Sequence, residues 1–248
     1  MQKKGETSGG KHEKITILLT GLLLSSAVLG SLSVDAATYS SNGVVNFEKD
    51  DTPTPPVDPV DPDPNKPVDP VDPTDPNGPE PGTPGPLSID YASSFDFGTQ
   101  KISTQTHTYN AALQKYKNGT PADGPNYVQV TDKTGLYTGW DLTVKQESQF
   151  KKGTTDLTGA AMTLNKIKAK SISGSAAPTT STKVDLNPGD EHSIASAAAG
   201  QGKGTWAFHF GENATDAADA VSLTVPGTAN AEVGKYTTSL TWKLVAKP

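Results

Sequence analysis

Trp140-Asp141-Leu142-Thr143-Val144 and Leu240-Thr241-Trp242-Lys243-Leu244-Val245 carry the same Trp-x-Leu core at two distant places in the chain. In an extended strand, residues two apart share a face. Trp140 and Leu142 therefore point one way, as do Leu240, Trp242 and Leu244, while Asp141, Thr143, Thr241 and Lys243 point the other. A period of two with large apolar residues on one side is the pattern of a strand that lays one face on a core. A Trp and a Leu sharing the face of a regular strand more often pack a core than form a ligand platform. An exposed indole stacked on a sugar ring is the sharper alternative.

The same period recurs outward from these two segments. Ile89 and Tyr91, then Phe95 and Phe97, alternate with polar residues, as do Tyr127 to Val130, Thr163 to Ile172, Thr205 to Phe210, Val221 to Val225 and Tyr236 to Val245. Asn118-Gly119, Asp123-Gly124-Pro125, Asn187-Pro188-Gly189-Asp190 and Pro226-Gly227 are turn signals between them. Many short strands divided by such turns predict an all-β, sandwich-like antiparallel domain over residues 87–248, and not βαβ units. The Ala-rich stretch Ser193 to Ala199 is compatible with one or two helical turns. Trp206, Phe208 and Phe210 share a face and read as core. Lys166, Lys168 and Lys170 alternate with Ile167 and Ala169, so one strand face is expected to carry three ammonium groups. They form a possible contact for an anionic polymer, or simply a solvated face.

Upstream of the strands the composition changes twice. Lys3, Lys4, Lys11 and Lys14 precede an apolar run from Ile15 to about Leu32, and Val34-Asp35-Ala36 follows. A basic region, an apolar region and small residues at a cut predict a secretory signal peptide over residues 1–36, with the mature chain starting at Ala37. Ser41-Asn42-Gly43 then leads into Val44-Val45-Asn46-Phe47, a short strand within residues 37–49. Residues 50–86 hold 14 of the 20 prolines and nine acids against one Lys, in Val-Asp-Pro and Thr-Asp-Pro repeats. Proline at this density favours extended polyproline II, and the like-charged Asp side chains extend it further. The stretch is therefore expected to be a disordered insertion or linker, either a spacer or a solvated loop. Asp61 and Asp63 lack the Gly turn and terminal Glu of a calcium loop.

Charge and cysteine content narrow the partners. The formal net charge is −6, and all 21 basic residues are Lys. From Leu87 onward, fifteen Lys nearly balance fourteen acids. With no Arg forks and no concentrated basic patch, nucleic acid is not an expected partner. There is no cysteine, so neither a disulfide framework nor a lipid on a Cys is available. The last residues, Trp242 to Pro248, carry neither an apolar tail nor an LPxTG sorting signal. An exported protein retained non-covalently, with no membrane contact after signal cleavage, is the expectation.

Two ordered Trp-x-Leu motifs, the second behind Tyr236-Thr237-Thr238-Ser239, resemble those of the WxL-domain surface proteins of Gram-positive bacteria. The resemblance extends to Ser41-Asn42-Gly43, the Val-Asp-Pro repeats, Leu87-Ser88-Ile89-Asp90, Phe95-Asp96-Phe97-Gly98 and Val221-Ser222-Leu223-Thr224-Val225-Pro226. It spans essentially the whole chain after the signal peptide. It implies a secreted protein of the cell wall and cell surface, attached non-covalently to peptidoglycan or another wall polymer. It also implies work in clusters with other surface proteins. Trp140, Leu142, Trp242 and Leu244 are then the motif residues, as wall contacts or as core.

Enzyme chemistry finds little support. Ser148-Gln149-Phe150-Lys151 and Lys133-Thr134-Gly135 imitate parts of a penicillin-recognising Ser enzyme, but in the wrong order and without the SxN element between them. No GxSxG elbow and no Cys nucleophile are present. His107, His192 and His209 are singly placed, with no zinc-type pair. Asp141 and Glu147 form no recognisable acid–base pair. The expectation is a non-catalytic protein without metal or cofactor. The competing expectation is a structural subunit of a surface complex, which touches the wall only through partners.

Overall fold

The computed structural model describes residues 36–171 and 173–248. The leader expected over residues 1–36 lies outside them, apart from Ala36. Among the described residues the strands are, in chain order, β1 (Leu87–Ala92), β2 (His107–Asn110), β3 (Tyr127–Asp132), β4 (Trp140–Gln146), β5 (Lys151–Lys152), β6 (Thr155–Asp156), β7 (Ala161–Asn165), β8 (Ile167–Ser171), β9 (Thr179–Thr180), β10 (Lys183–Leu186), β11 (Glu191–Ala197), β12 (Gly204–Phe210), β13 (Val221–Val225) and β14 (Leu240–Ala246). One short helix, α1 (Ala214–Ala217), is capped by Asn213, whose Oδ1 accepts from the Asp216 amide at 3.0 Å.

Three four-stranded sheets have the orders β1-β3-β12-β8, β10-β7-β13-β2 and β14-β4-β11-β9, and β5 and β6 form a small hairpin. The strand pairings are antiparallel. The all-β antiparallel expectation therefore holds. One apolar core joins the sheets, drawing Val128 and Val130 from β3, Trp140, Leu142 and Val144 from β4, and Trp206, Phe208 and Phe210 from β12. An edge strand of one sheet lies near a strand of another at three places, β1 near β14, β10 near β11, and β8 near β9.

Burial follows sheet position. In β4, between β14 and β11, every second residue from Trp140 to Gln146 is buried. In β3 all six residues are buried, because something covers the face turned away from the core. That cover is the Pro/Asp-rich stretch, which departs from a disordered spacer: Asn46–Pro248 is one compact unit that includes it. Val57 is only 2% exposed, and its N–H donates to Gln129 Oε1 at 2.9 Å. Val68 packs on the buried Tyr91, Tyr116, Tyr127 and Ala207, and Pro70 bridges to Tyr116. The Asp side chains do not drive this stretch apart, since they close local turns. Asp58 Oδ1 accepts from the Val60 amide at 2.9 Å, and Asp72 Oδ1 accepts from the amides of Thr74 and Asp75.

Three further local expectations change. Residues 36–49 contain no strand and are exposed throughout. Ser193 to Ala197 belongs to β11, because Ile194, Ala195 and Ala197 are needed in the core and β4 supplies the pairing. Thr163 to Ile172 is not one strand. Lys166 takes a left-handed conformation (φ 54) that ends β7, and β8 continues in a different sheet.

Candidate functional site

The two Trp-x-Leu motifs are neighbours, since β14 pairs with β4 and places Trp242 opposite Val144 and Leu244 opposite Leu142. Their burial differs because β4 is flanked on both sides and β14 on one. Trp140 and Leu142 are 0% exposed. The Trp140 indole meets Phe208 edge-on at 6.0 Å, and its N–H donates to the Gly202 carbonyl at 3.2 Å. Trp242 and Leu244 are half-buried, packed on the core from the sheet edge. Trp206 resembles Trp140 in donating its N–H to a carbonyl, that of Lys203 at 3.1 Å. The Trp242 indole N–H has no protein acceptor among the described residues.

Trp242 faces an open groove of about 1410 Å³. Ile89 and Tyr91 of β1 line it, with Leu240 and Trp242 of β14. Met162 and Leu223, from the sheet containing β7 and β13, also line it. The segments at 93–105 and 226–239 complete the lining with Phe97, Tyr109 of the adjoining β2, and Tyr236. Phe97 is fixed edge-on to Phe150 at 6.1 Å. Tyr236 is held by its hydroxyl, which accepts from the Glu232 amide at 3.0 Å. Polar groups from Asp96, Gln100, Glu232 and Lys235 also reach the groove. Half-exposed aromatic rings beside polar side chains in an open groove suit a partly polar ligand.

The lysine trio does not form the expected single-faced array. Lys166 lies outside β8, its Nζ at 2.6 Å from Asp219 and 3.0 Å from Asp216. These two carboxylates raise its pKa, Asp219 foremost. Lys168 and Lys170 do share the exposed face of β8. Lys168 sits 3.7 Å from Glu212, and Lys170 donates to the Val60 carbonyl at 2.6 Å. Each ammonium thus already has a partner within the chain.

The enzyme-like fragments are likewise engaged elsewhere. Lys133 is paired with Asp50 at 3.0 Å, and Lys151 with Asp156 at 3.3 Å. The Ser148 hydroxyl donates to the Gln149 carbonyl at 3.2 Å. His209 is buried, which lowers its pKa, and its Nδ1 lies 2.7 Å from the Gly211 carbonyl, so that nitrogen carries the proton. No group of three His, Cys, Asp or Glu side chains is placed to hold a metal among the described residues.

Sequence reasoning found Trp242 but not its groove. Phe95 and Phe97 were expected in a strand, yet they follow β1 in irregular chain. Tyr236, immediately before the second motif, was the available signal.

A family described as WxL domain surface cell wall-binding matches residues 34–248. No curated protein and no solved structure gives a match.

Proposed function

Because the chain belongs to the WxL family of surface cell wall-binding domains, we propose that it holds peptidoglycan non-covalently and without catalysis, with the polymer laid in the groove against Trp242. Binding to the cell wall at the cell surface comes with the family. The polymer, the groove and the non-catalytic role are the further steps. They are supported chiefly by one observation: of the three tryptophans, Trp242 alone is half-buried, lines an open groove, and keeps its N–H without a protein acceptor among the described residues. A sugar ring stacked on that indole also offers hydroxyl oxygens to its N–H. Trp140 and Leu142 act indirectly, by fixing β4 and therefore β14. Export through the leader at 1–36 completes the reading.

The test is sedimentation of the chain from Ala37 to Pro248 with isolated walls, before and after teichoic acids are stripped. Saturable binding that survives stripping is expected, with Trp242→Ala weakening it about tenfold, the equivalent of about 1.4 kcal/mol. Trp242→Ala binding as tightly as the parent would remove the groove from the wall contact. Binding lost on stripping would move the contact to the anionic polymer and return attention to Lys168 and Lys170. The competing reading, a subunit reaching the wall through another surface protein, draws on β14, which is hydrogen-bonded to a neighbouring strand on one side only. It predicts no sedimentation with purified wall.

A further inference from the structure

The Pro/Asp-rich stretch and the groove share residues. Asp72, Thr74 and Glu80 to Thr83, from the later part of that stretch, line the groove together with Tyr91, Ser93 and Trp242. The earlier part, at Val57 and Val68, lies over Gln129 and Tyr127, on the face of β3 turned away from the core. The stretch thus runs from the covered face of β3 to the groove.

Where it reaches the groove it is fastened twice. The first fastening centres on Gln114, which is only 2% exposed. Its Oε1 accepts from the Tyr91 hydroxyl at 2.6 Å and from Ser93 Oγ at 2.8 Å. Its Nε2 donates to the Val71 carbonyl at 2.9 Å and to the Lys115 carbonyl at 2.8 Å. The amide thus has two acceptor bonds from groove-lining residues and both donors engaged, one of them on the stretch itself. Ser94 Oγ adds a bond to Asp72 Oδ2 at 2.7 Å. The second fastening is at β1. The Thr83 N–H donates to the Ile89 carbonyl at 2.8 Å, and Thr83 Oγ1 accepts from the Ile89 amide at 2.8 Å. Gly82 approaches β1 so closely that an added Cβ would lie 2.8 Å from the Asp90 carbonyl oxygen. β1 in turn lies near β14, the strand of Trp242. Between the two fastenings Glu80 is exposed and forms no ion pair among the described residues.

We propose that residues 72–83 form one side of the ligand site, with Glu80 a contact residue for hydroxyl or amide N–H groups of the wall polymer and Gln114 the residue that positions this side. A carboxylate in the same groove as an aromatic ring gives such a polymer both a charge-assisted acceptor and a stacking surface. The Pro/Asp-rich stretch is then part of the binding machinery, in place of a spacer. Its ligand rests on the groove reading above, whereas the arrangement of the groove is testable without a ligand.

Acrylamide quenching of tryptophan fluorescence reads that arrangement, since Trp140 and Trp206 are buried and Trp242 is half-buried. In the chain from Ala37 to Pro248, Gly82→Ala and Gln114→Leu should both raise quenching, because each loosens residues 72–83 from the groove. Adding Trp242→Phe should abolish the rise. Gly200→Ala, whose added Cβ meets nothing within 4 Å, controls for general loosening and should leave quenching unchanged. Parent-level quenching in Gly82→Ala overturns the inference, even where Gln114→Leu fails to fold, and so does an equal rise in Gly200→Ala. Glu80→Gln tests the contact itself. It should keep the parent's thermal midpoint and sediment with isolated walls about fivefold more weakly, having lost a charged acceptor. Glu80→Gln binding as tightly as the parent overturns the contact and leaves the wall reading standing. A parent that does not sediment removes the wall reading and the contact with it, and quenching still decides whether the stretch forms a side of the groove.

Discussion

The backbone N–H of Val57 donates to Oε1 of Gln129 at 2.9 Å, and the Gln129 Nε2 returns a bond to the Pro55 carbonyl at 3.1 Å. One side chain in the middle of β3 thus serves a donor and an acceptor two residues apart, as a neighbouring strand would. Here the Pro-rich segment, short of N–H groups, is docked through a side chain, whereas further along it pairs by backbone at Pro70 with Tyr116. Gln129→Leu leaves the buried Val57 amide without an acceptor, which costs roughly 1–3 kcal/mol. Urea unfolding should register that loss, and limited proteolysis between Thr52 and Val68 should accelerate. A loss too small to measure, with cleavage unchanged, would return the segment to the role of a free spacer.

Beneath the same segment lies Asp90, whose carboxylate accepts from Ser88 Oγ at 2.7 Å, Thr131 Oγ1 at 2.6 Å and Gln129 Nε2 at 2.9 Å. Burial raises its pKa above the ordinary 3.8, and these bonds only partly oppose that. The folded state therefore keeps the proton to higher pH than the unfolded chain. Asp90's contribution is most favourable below 3.8 and is lost as pH rises through its folded value. Asp141, Asp185 and Glu191, whose pKa values are lowered, act in the opposite sense as pH falls. Relative to the parent, Asp90→Asn should gain stability as pH rises from about 4 to about 7. Denaturant unfolding at several pH values measures the difference, and a difference constant with pH would mean that Asp90 titrates normally.

The paired motifs predict unequal costs. Trp140→Ala empties a fully enclosed site and should cost about 3–5 kcal/mol, whereas Trp242→Ala, from a half-buried edge position, should cost less than half of that. Equal losses in denaturant unfolding would show that β14 is as deeply set as β4, and would make any wall-binding defect of Trp242→Ala a consequence of unfolding.

Alternation in the sequence located β3, β4, β12 and β13 because each has at least one face in the core, and burial of that face fixes the register. It could not separate Trp140 from Trp242, whose local sequences are alike. The number of neighbouring strands, a property of topology, decides which indole is enclosed. Lys166 was read into a strand because alternation alone does not register a single left-handed residue. The Pro/Asp-rich stretch was read as free because proline content reports the lack of ladder donors, and not the presence of an acceptor such as Gln129 on a distant strand. The groove was least legible, since irregular segments at 93–105 and 226–239 contribute much of its lining.

Gly202 provides the most selective test of Trp140 as core. It has φ +69, and a Cβ added there would lie 2.8 Å from Cε2 and Cζ2 of the Trp140 ring and from the Ala197 Cβ. Gly200, two residues earlier, has φ +82, with nothing within 4 Å of an added Cβ. Alanine at either position meets a similar left-handed backbone penalty, about 1–2 kcal/mol. Only Gly202→Ala also presses on the indole and strains its bond to the Gly202 carbonyl. Overpacking of this kind adds about 1–3 kcal/mol. Unfolding of the two variants side by side should therefore place Gly202→Ala below Gly200→Ala by that margin. Equal stabilities would mean that the ring moves aside freely, and Trp140 would then be a mobile side chain in place of the fixed wall on which β14 and its groove depend.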